Sequence, residues 1–237
     1  MLKKILVTGG QGRFAKELKK IESPYKFFFR NKKQLNILSI KSIEKNLKKF
    51  KPDAILHLAS LSRPMSIHEK NINLSIDLNI IGTSNIVKLC NKKKIKIIYL
   101  STSYLYPGKK GNYKEEDPLL PWNNYGWSKL GAESAIQMYK NSLIIRACMT
   151  EKPFIHKYAF KNVKCNFIFH EDFIKIFLKI LNYRGIINIG GKSQSIYKFA
   201  KKYNKNVKKK KSKGELPLKM NMSLNKLNKI LKKNENN

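Results

Sequence analysis

Acidic side chains are scarce in this sequence. Fifteen Asp and Glu stand against fifty Lys and Arg among 237 residues, a formal charge of +35. Such an excess ordinarily points to nucleic acid or an anionic membrane surface. Here the lysines are spread along the whole chain among abundant Asn and Ile, the pattern of a compositional bias written on solvated surfaces. The single dense run, Lys208-Lys209-Lys210-Lys211, has no interleaved aromatic rings on which bases could stack. A nucleic-acid partner is therefore not expected, although the charge would steer anionic substrates. Cysteine is scarce too: Cys90, Cys148 and Cys165 are odd in number, far apart and without histidines at zinc spacing. Neither a disulfide framework nor a metal site is expected, and the three read as reduced buried thiols of a cytoplasmic protein. No apolar run nears the ~18 residues of a membrane span. Met1-Leu2-Lys3-Lys4 runs directly into Ile5-Leu6-Val7, which leaves no room for a signal peptide and predicts none.

What is present is a regular alternation. Short apolar runs at 5–7, 26–29, 54–58, 95–100, 142–145 and 186–189 read as strands. Between them, 42–50, 77–91, 125–139 and 172–181 carry apolar residues at helical spacing, and a further helix opens near Phe14. Near-continuous apolar strands separated by helices predict a Rossmann-like α/β fold, a doubly wound parallel sheet covered on both faces. The expected division is a dinucleotide-binding domain over 1–150. A small substrate-binding portion over 151–237 is interleaved with it. The lysine-rich tail from Asn204 is expected to be partly loose. His57, at a strand end among apolar neighbours, reads as structural. His170-Glu171-Asp172 reads as a helix cap, and Glu115-Glu116-Asp117 as a solvated loop.

Thr8-Gly9-Gly10-Gln11-Gly12-Arg13-Phe14-Ala15 lies between the first strand and the first helix. Gly9 permits a tight turn, Gly12 lets backbone approach a pyrophosphate, and Ala15 is small enough for helix and strand to pack. The helix start, which holds Arg13 and Phe14, is expected to turn its N–H groups and positive dipole end towards phosphates. Sites that prefer NAD usually carry an acid at the end of the second strand. Here Arg30-Asn31 stands there, and a guanidinium at Arg30 or Arg13 suits a 2′-phosphate. NADP(H) is thus expected over NAD(H), which stays possible.

Tyr125 and Lys129 lie four residues apart, on one face of a helix. A neighbouring ammonium favours the phenolate and brings a phenol that ordinarily titrates near ~10 towards use as a proton donor. Ser101-Thr102-Ser103 follows the fourth strand, at the edge where ligands of such sheets bind. Together with the glycine turn, the stretches 100–108, 113–118 and 125–133 resemble the extended short-chain dehydrogenases/reductases. More narrowly they resemble the dTDP-4-dehydrorhamnose reductase family. Weaker echoes are 35–37, 52–59, Asn79 with Gly82-Thr83, 185–191 and 223–227.

The resemblance implies an NADP(H)-dependent reductase of a nucleotide-linked 4-keto sugar, serving polysaccharide synthesis. It implies that Tyr125 donates the proton, Lys129 lowers its pKa and holds the nicotinamide ribose, and Thr102 hydrogen-bonds the reacting oxygen. Leu58, Ala59 and Ser60 would line the cofactor. Asn79 would serve a proton path or anchor its helix. Ser103 stands where the reductases often carry an acid, and Asn36 replaces a common aspartate. Only about two dozen residues separate Arg146 from His170, a span that is longer in typical members and that helps to build the sugar pocket. Two alternatives therefore stay open, an epimerase or dehydratase on the same scaffold and a non-catalytic NADP-binding regulator, and a homodimer stays open for each reading. Trp122 and Trp127 flank the tyrosine as stacking or core residues, and Tyr106 as pocket or core.

Overall fold

The apolar runs become strands of one six-stranded sheet in the computed structural model, which describes residues 2–235. Its strands are β1 (Lys4–Thr8), β2 (Lys26–Phe29), β3 (Ala54–His57), β4 (Lys96–Thr102), β5 (Ser142–Ala147) and β10 (Gly185–Ile189). Between β5 and β10 come the short strands β6 (Met149–Thr150), β7 (Tyr158–Phe160), β8 (Lys164–Cys165) and β9 (Ile168–Phe169). The order across the sheet is β10-β5-β4-β3-β1-β2, with β1 parallel to both β2 and β3, and β3 parallel to β4. This is the Rossmann-like doubly wound arrangement. The chain leaves β1 for β2 on one side and returns to β3 on the other, so the switch point lies between β1 and β3.

Two compact units divide the chain. The first comprises Met1–Ser101, Asn123–Ile145 and Leu181–Ile186. Its helices are α1 (Arg13–Leu18), α2 (Ile40–Phe50), α3 (Ile67–Lys70), α4 (Ile72–Ser75), α5 (Gly82–Lys93) and α6 (Asn124–Gln137). Leu6, Ile55, Ile97, Tyr99 and Ile144 on the strands meet Ile43 and Leu47 of α2, Ile86 and Leu89 of α5, and Ile136 of α6. Each fully buried aliphatic side chain contributes about 1.5–3 kcal/mol. Ser39 caps α2 by accepting from Ser42 N, and Lys51 ends it in the left-handed region at φ 42°. Lys94 ends α5 the same way, at φ 56°. The long helix expected over 77–91 is instead a π-helical turn, Ile76–Ile81, running into α5. Periodicity at 3.6 residues cannot register such a widening, which carries Asn79 inward.

The second unit comprises Thr102–Trp122, Arg146–Ile180 and Ile187–Asn237. It holds α7 (His170–Ile180), β11 (Gln194–Ser195), α8 (Ile196–Tyr203), β12 (Lys208–Lys210) and α9 (Asn225–Glu235). Its core joins Phe154, Val163, Phe169 and Phe199 to Met220 and Met222. The expectation of a loose tail is overturned. β12 pairs in parallel with β7, Met220 and Met222 are buried, and Tyr113 bridges to Met222. Lysines hid these elements, because an exposed strand of three lysines has no apolar pattern to read. Glu115 is also not solvated. It is 6% exposed and accepts from Asn188 N at 2.9 Å. Arg146, 1% exposed, donates to Tyr106 Oη and to Glu115 O, both at 2.9 Å, and Tyr106 donates to Asn188 Oδ1. Tyr106 is therefore core. His170, Glu171 and Asp172 form the first turn of α7 and do not precede it, and Asp172 pairs with Lys175.

Candidate active site

At the end of β1 the chain turns on Gly9, whose φ of +66° suits glycine. A Cβ there would lie 2.7 Å from Ala59 N, so β1 and the segment after β3 can approach only without a side chain. Gly12 N donates to Gly9 O at 2.9 Å and closes the turn. Gly12 also stands at the N-cap of α1, in extended backbone and with no side-chain cap hydrogen bond, so the helix N-terminus begins at the turn. Phe14 and Ala15 are buried beneath, 7% and 0% exposed, and Arg13 is exposed. Gly10 N donates to Arg30 O at 2.8 Å, which brings the end of β2 to the turn. The Arg30 guanidinium lies 4.5 Å from the Phe50 ring centroid, and its buried Nε has no partner. A glycine cradle beside an orphaned buried guanidinium nitrogen fits a dinucleotide that carries phosphate.

Beneath the switch point sits a buried chain of hydroxyls around His57. Thr8 Oγ1 accepts from the backbone N–H of Leu58 and Ala59, so its own proton goes to His57 Nδ1 at 2.8 Å. Thr83 Oγ1 donates to Asn79 O at 2.6 Å and therefore accepts from His57 Nε2 at 3.0 Å. This pattern assigns the neutral tautomer protonated on Nε2. Burial, and then the Lys129 charge, push the pKa of His57 down to about 3, so the ring stays neutral at every working pH. The network fixes Leu58 and Ala59, which are partly exposed at the sheet edge, ahead of the exposed Ser60. Asn79 continues the scaffold. Its Oδ1 accepts from Leu61 N, and its Nδ2 donates to Leu61 O and to Ser128 Oγ. Both ends of the amide are thus used to tie the loop after β3 to α6.

Asn123 starts α6 by accepting from Gly126 N at 2.8 Å. Tyr125, in the first turn, is partly exposed, and Lys129, one turn on, is 3% exposed. Lys129 Nζ donates to Leu100 O at 2.8 Å and lies 4.0 Å from the Tyr99 ring centroid. Burial brings its pKa down to about 7, against the opposing pull of Glu133. Glu133, fully buried a further turn along, accepts from Ser101 Oγ at 2.7 Å. Sequence reasoning missed Glu133 as a site residue, although the signal was there: a carboxylate four residues after Lys129 shares its helix face. It also missed His68. That ring is buried, packs edge-on against Tyr125 at 5.2 Å, shares a hydrogen bond with Ser75 Oγ through Nδ1, and leaves Nε2 without a partner. Nothing in the sequence distinguished it from a surface histidine.

The glycine turn, Arg30, Leu58 to Ser60, Asn79, Tyr125 and Lys129 all belong to the first unit. Thr102, the last residue of β4, belongs to the second, where its Oγ1 accepts from Tyr104 N at 3.2 Å. In that unit Ser103 Oγ and Trp122 Nε1 are buried without partners, and Trp122 packs on Tyr104. Such orphans are uncommon in folded proteins and mark places where water or a ligand completes the bonding. Trp127, by contrast, is 48% exposed.

A family model described as RmlD substrate binding domain matches residues 3–150. The methionine adenosyltransferase 2 subunit beta of Xenopus laevis is 32% identical over 102 residues, 43% of this chain and 30% of that protein. The spore coat polysaccharide biosynthesis protein SpsK of Bacillus subtilis is 30% identical over 147 residues, 60% of this chain and 52% of that protein. The chain therefore spans between about a third and a half of the length of these relatives. Among solved structures, dTDP-4-dehydrorhamnose reductase from Bacillus anthracis in complex with NADP superposes with a TM-score of 0.85 at 22% identity, covering 96% of this chain and 91% of that one. The UDP-glucose 4-epimerase of Thermus thermophilus in complex with NAD follows the same fold at 0.76 and 16% identity, covering 95% and 92%. No helix among the described residues is long and apolar enough to cross a membrane.

Proposed function

We propose, from the premise that the chain belongs to the RmlD substrate binding domain family, that it is an NADP(H)-dependent reductase of a nucleotide-linked 4-keto sugar. The observation that carries this reading is the buried Lys129 ammonium one helical turn from the partly exposed Tyr125. Gly9, Gly12, Arg13, Phe14, Ala15 and the segment Leu58-Ala59-Ser60 would hold the dinucleotide, with Arg13 and Arg30 selecting the 2′-phosphate. When bound, that group supplies the hydride. Tyr125 gives the phenolic proton to the ketone oxygen, which becomes the hydroxyl of the product. Lys129, held against Leu100 O, stabilises the phenolate left behind and lies ready for the ribose. For Thr102, which belongs to the second unit, the resemblance implies a hydrogen bond to a reacting oxygen. The spore coat polysaccharide protein among the relatives accords with a product destined for polysaccharide synthesis.

One observation favours a second reading. Matches to proteins that are subunits of a larger enzyme, the beta subunits of methionine adenosyltransferase 2, accord with the reading of this chain as a non-catalytic NADP-binding regulator. The test is NADPH consumption with a dTDP-linked 4-keto sugar, alongside dinucleotide binding followed by thermal stability. Saturating NADPH, at one hundred times its dissociation constant, adds ~2.7 kcal/mol to folding stability. Tyr125→Phe should lower turnover by about 10²–10⁴-fold while leaving NADPH affinity within about twofold. Wild-type turnover in that variant would refute the proton donor. Binding without any turnover would favour the regulatory reading, and stabilisation by NADH alone would refute the role of the two arginines.

A further inference from the structure

The ligand crevice of a doubly wound sheet lies at the C-terminal ends of its strands. The first unit has a concavity at the other end. A cavity of about 440 Å³ is lined by Leu2, Pro52 and Asp53, by Lys93 to Lys96, and by Asn141, Asn182 and Arg184. These residues immediately precede or begin β1, β3, β4, β5 and β10. The cavity therefore shares strands with the glycine turn but opens at their opposite ends. Its size is that of a small-molecule pocket. It has no aromatic ring on which a base could stack, which favours a compact charged ligand over a nucleoside.

Four cations and one carboxylate line this space, and the carboxylate is already committed. Asp53 Oδ2 accepts from Lys3 N and Lys4 N at 2.8 Å each. Lys93 and Lys94 have an ordinary explanation, since they close α5 and favour its negative end. Lys96 and Arg184 do not. Lys96 is 5% exposed, and its ammonium has one protein acceptor, Tyr183 O at 2.6 Å. Arg184 is oriented by a bond from Nε to Asn141 Oδ1 at 3.0 Å, and no carboxylate among the described residues pairs with its guanidinium. Burial and the neighbouring Arg184 depress the pKa of Lys96 to about 8. Two cations thus stand beside each other, one buried, with bonding capacity left over. An arginine fork and a lysine point charge together match the oxygens of a phosphate group.

We propose that this cavity is a second ligand site, which binds a small phosphate-bearing anion through Lys96 and Arg184, with Lys93 and Lys94 adding charge. The site is independent of the dinucleotide and of turnover. An anion seated there restores the charged form of Lys96, so binding is linked to proton uptake.

Calorimetric titration of the full chain with inorganic pyrophosphate, in the presence of saturating NADPH, tests it. The expected result is one saturable site, weakened at least about tenfold by Lys96→Met and by Arg184→Gln. Lys96→Met keeps the buried volume and should fold as well as the wild type, while Arg184→Gln alters a more exposed position. Titrations at pH 8 in buffers of different ionisation enthalpy should show uptake of up to about half a proton, absent in Lys96→Met. A control, Lys202→Gln with Lys205→Gln, removes two exposed charges elsewhere and should change affinity less than twofold. Equal weakening by the control, binding without saturation, or no binding would overturn the site in favour of diffuse attraction to a chain of +35. Loss of pyrophosphate binding when NADPH is added would place the anion at the glycine turn and overturn it as well.

Discussion

Replacing Lys129 by methionine tests the electrostatics of the candidate active site through stability alone, without any substrate. Lys129 is 3% exposed and its pKa lies at about 7, well under the ordinary lysine value near 10.5. In the unfolded chain it would keep its proton up to about pH 10. Between pH 7 and 9 the unfolded state therefore binds more protons than the folded one, and stability contributed by this residue rises with pH. Taking about 1.4 kcal/mol per pH unit for a full proton, with half a proton already lost at pH 7, the gain over this window is about 2 kcal/mol. Lys129→Met has no such gain, while every other titrating group is unchanged or nearly so. Urea unfolding of both proteins at pH 7, 8 and 9 should show the wild type gaining about 2 kcal/mol on the variant across the series. Parallel curves, or a wild type that loses ground as pH rises, would refute a buried and depressed Lys129.

Two further outcomes bear on the same machinery. Glu133→Gln keeps the acceptor for Ser101 but removes the charge that holds the Lys129 pKa up, so the alkaline limb of the kcat/KM profile should move to lower pH by about one unit. A uniform fall in activity with an unmoved limb would instead mean that Glu133 only packs. Gly9→Ala forces a Cβ to within 2.7 Å of Ala59 N at a φ of +66°. It should cost about 2 kcal/mol or more of stability in denaturant unfolding and weaken dinucleotide binding, and a neutral result would mean that the turn can relax.

The sheet was legible because its strands are apolar on both faces, and β1, β3, β4 and β5 fell within a residue or two of the runs that announced them. The tyrosine helix and the glycine turn were legible as elements for a different reason: a four-residue spacing and a glycine at a tight turn survive in a sequence. What escaped was contact between distant segments. No local signal says that Glu115, in a run of acids, accepts from Asn188 N, or that Asn79 spans from Leu61 to Ser128. The π-helical turn at Ile76–Ile81 escaped because an apolar pattern reads the same through a widened turn. The second unit was the least legible. Strands of two or three residues carry too few side chains for a period, and lysine fills positions where alternation would otherwise show.

The two left-handed caps show how deep that lysine enrichment runs. Lys51 and Lys94 occupy the position at which helices most often place glycine, and a side chain there costs on the order of 1 kcal/mol. The abundance of lysine thus reaches beyond solvated faces to two positions of unusual backbone geometry. A chain with such positions carries unused headroom. Glycine at either cap, Lys51→Gly or Lys94→Gly, would relieve that cost at a helix end remote from the glycine turn and from Tyr125.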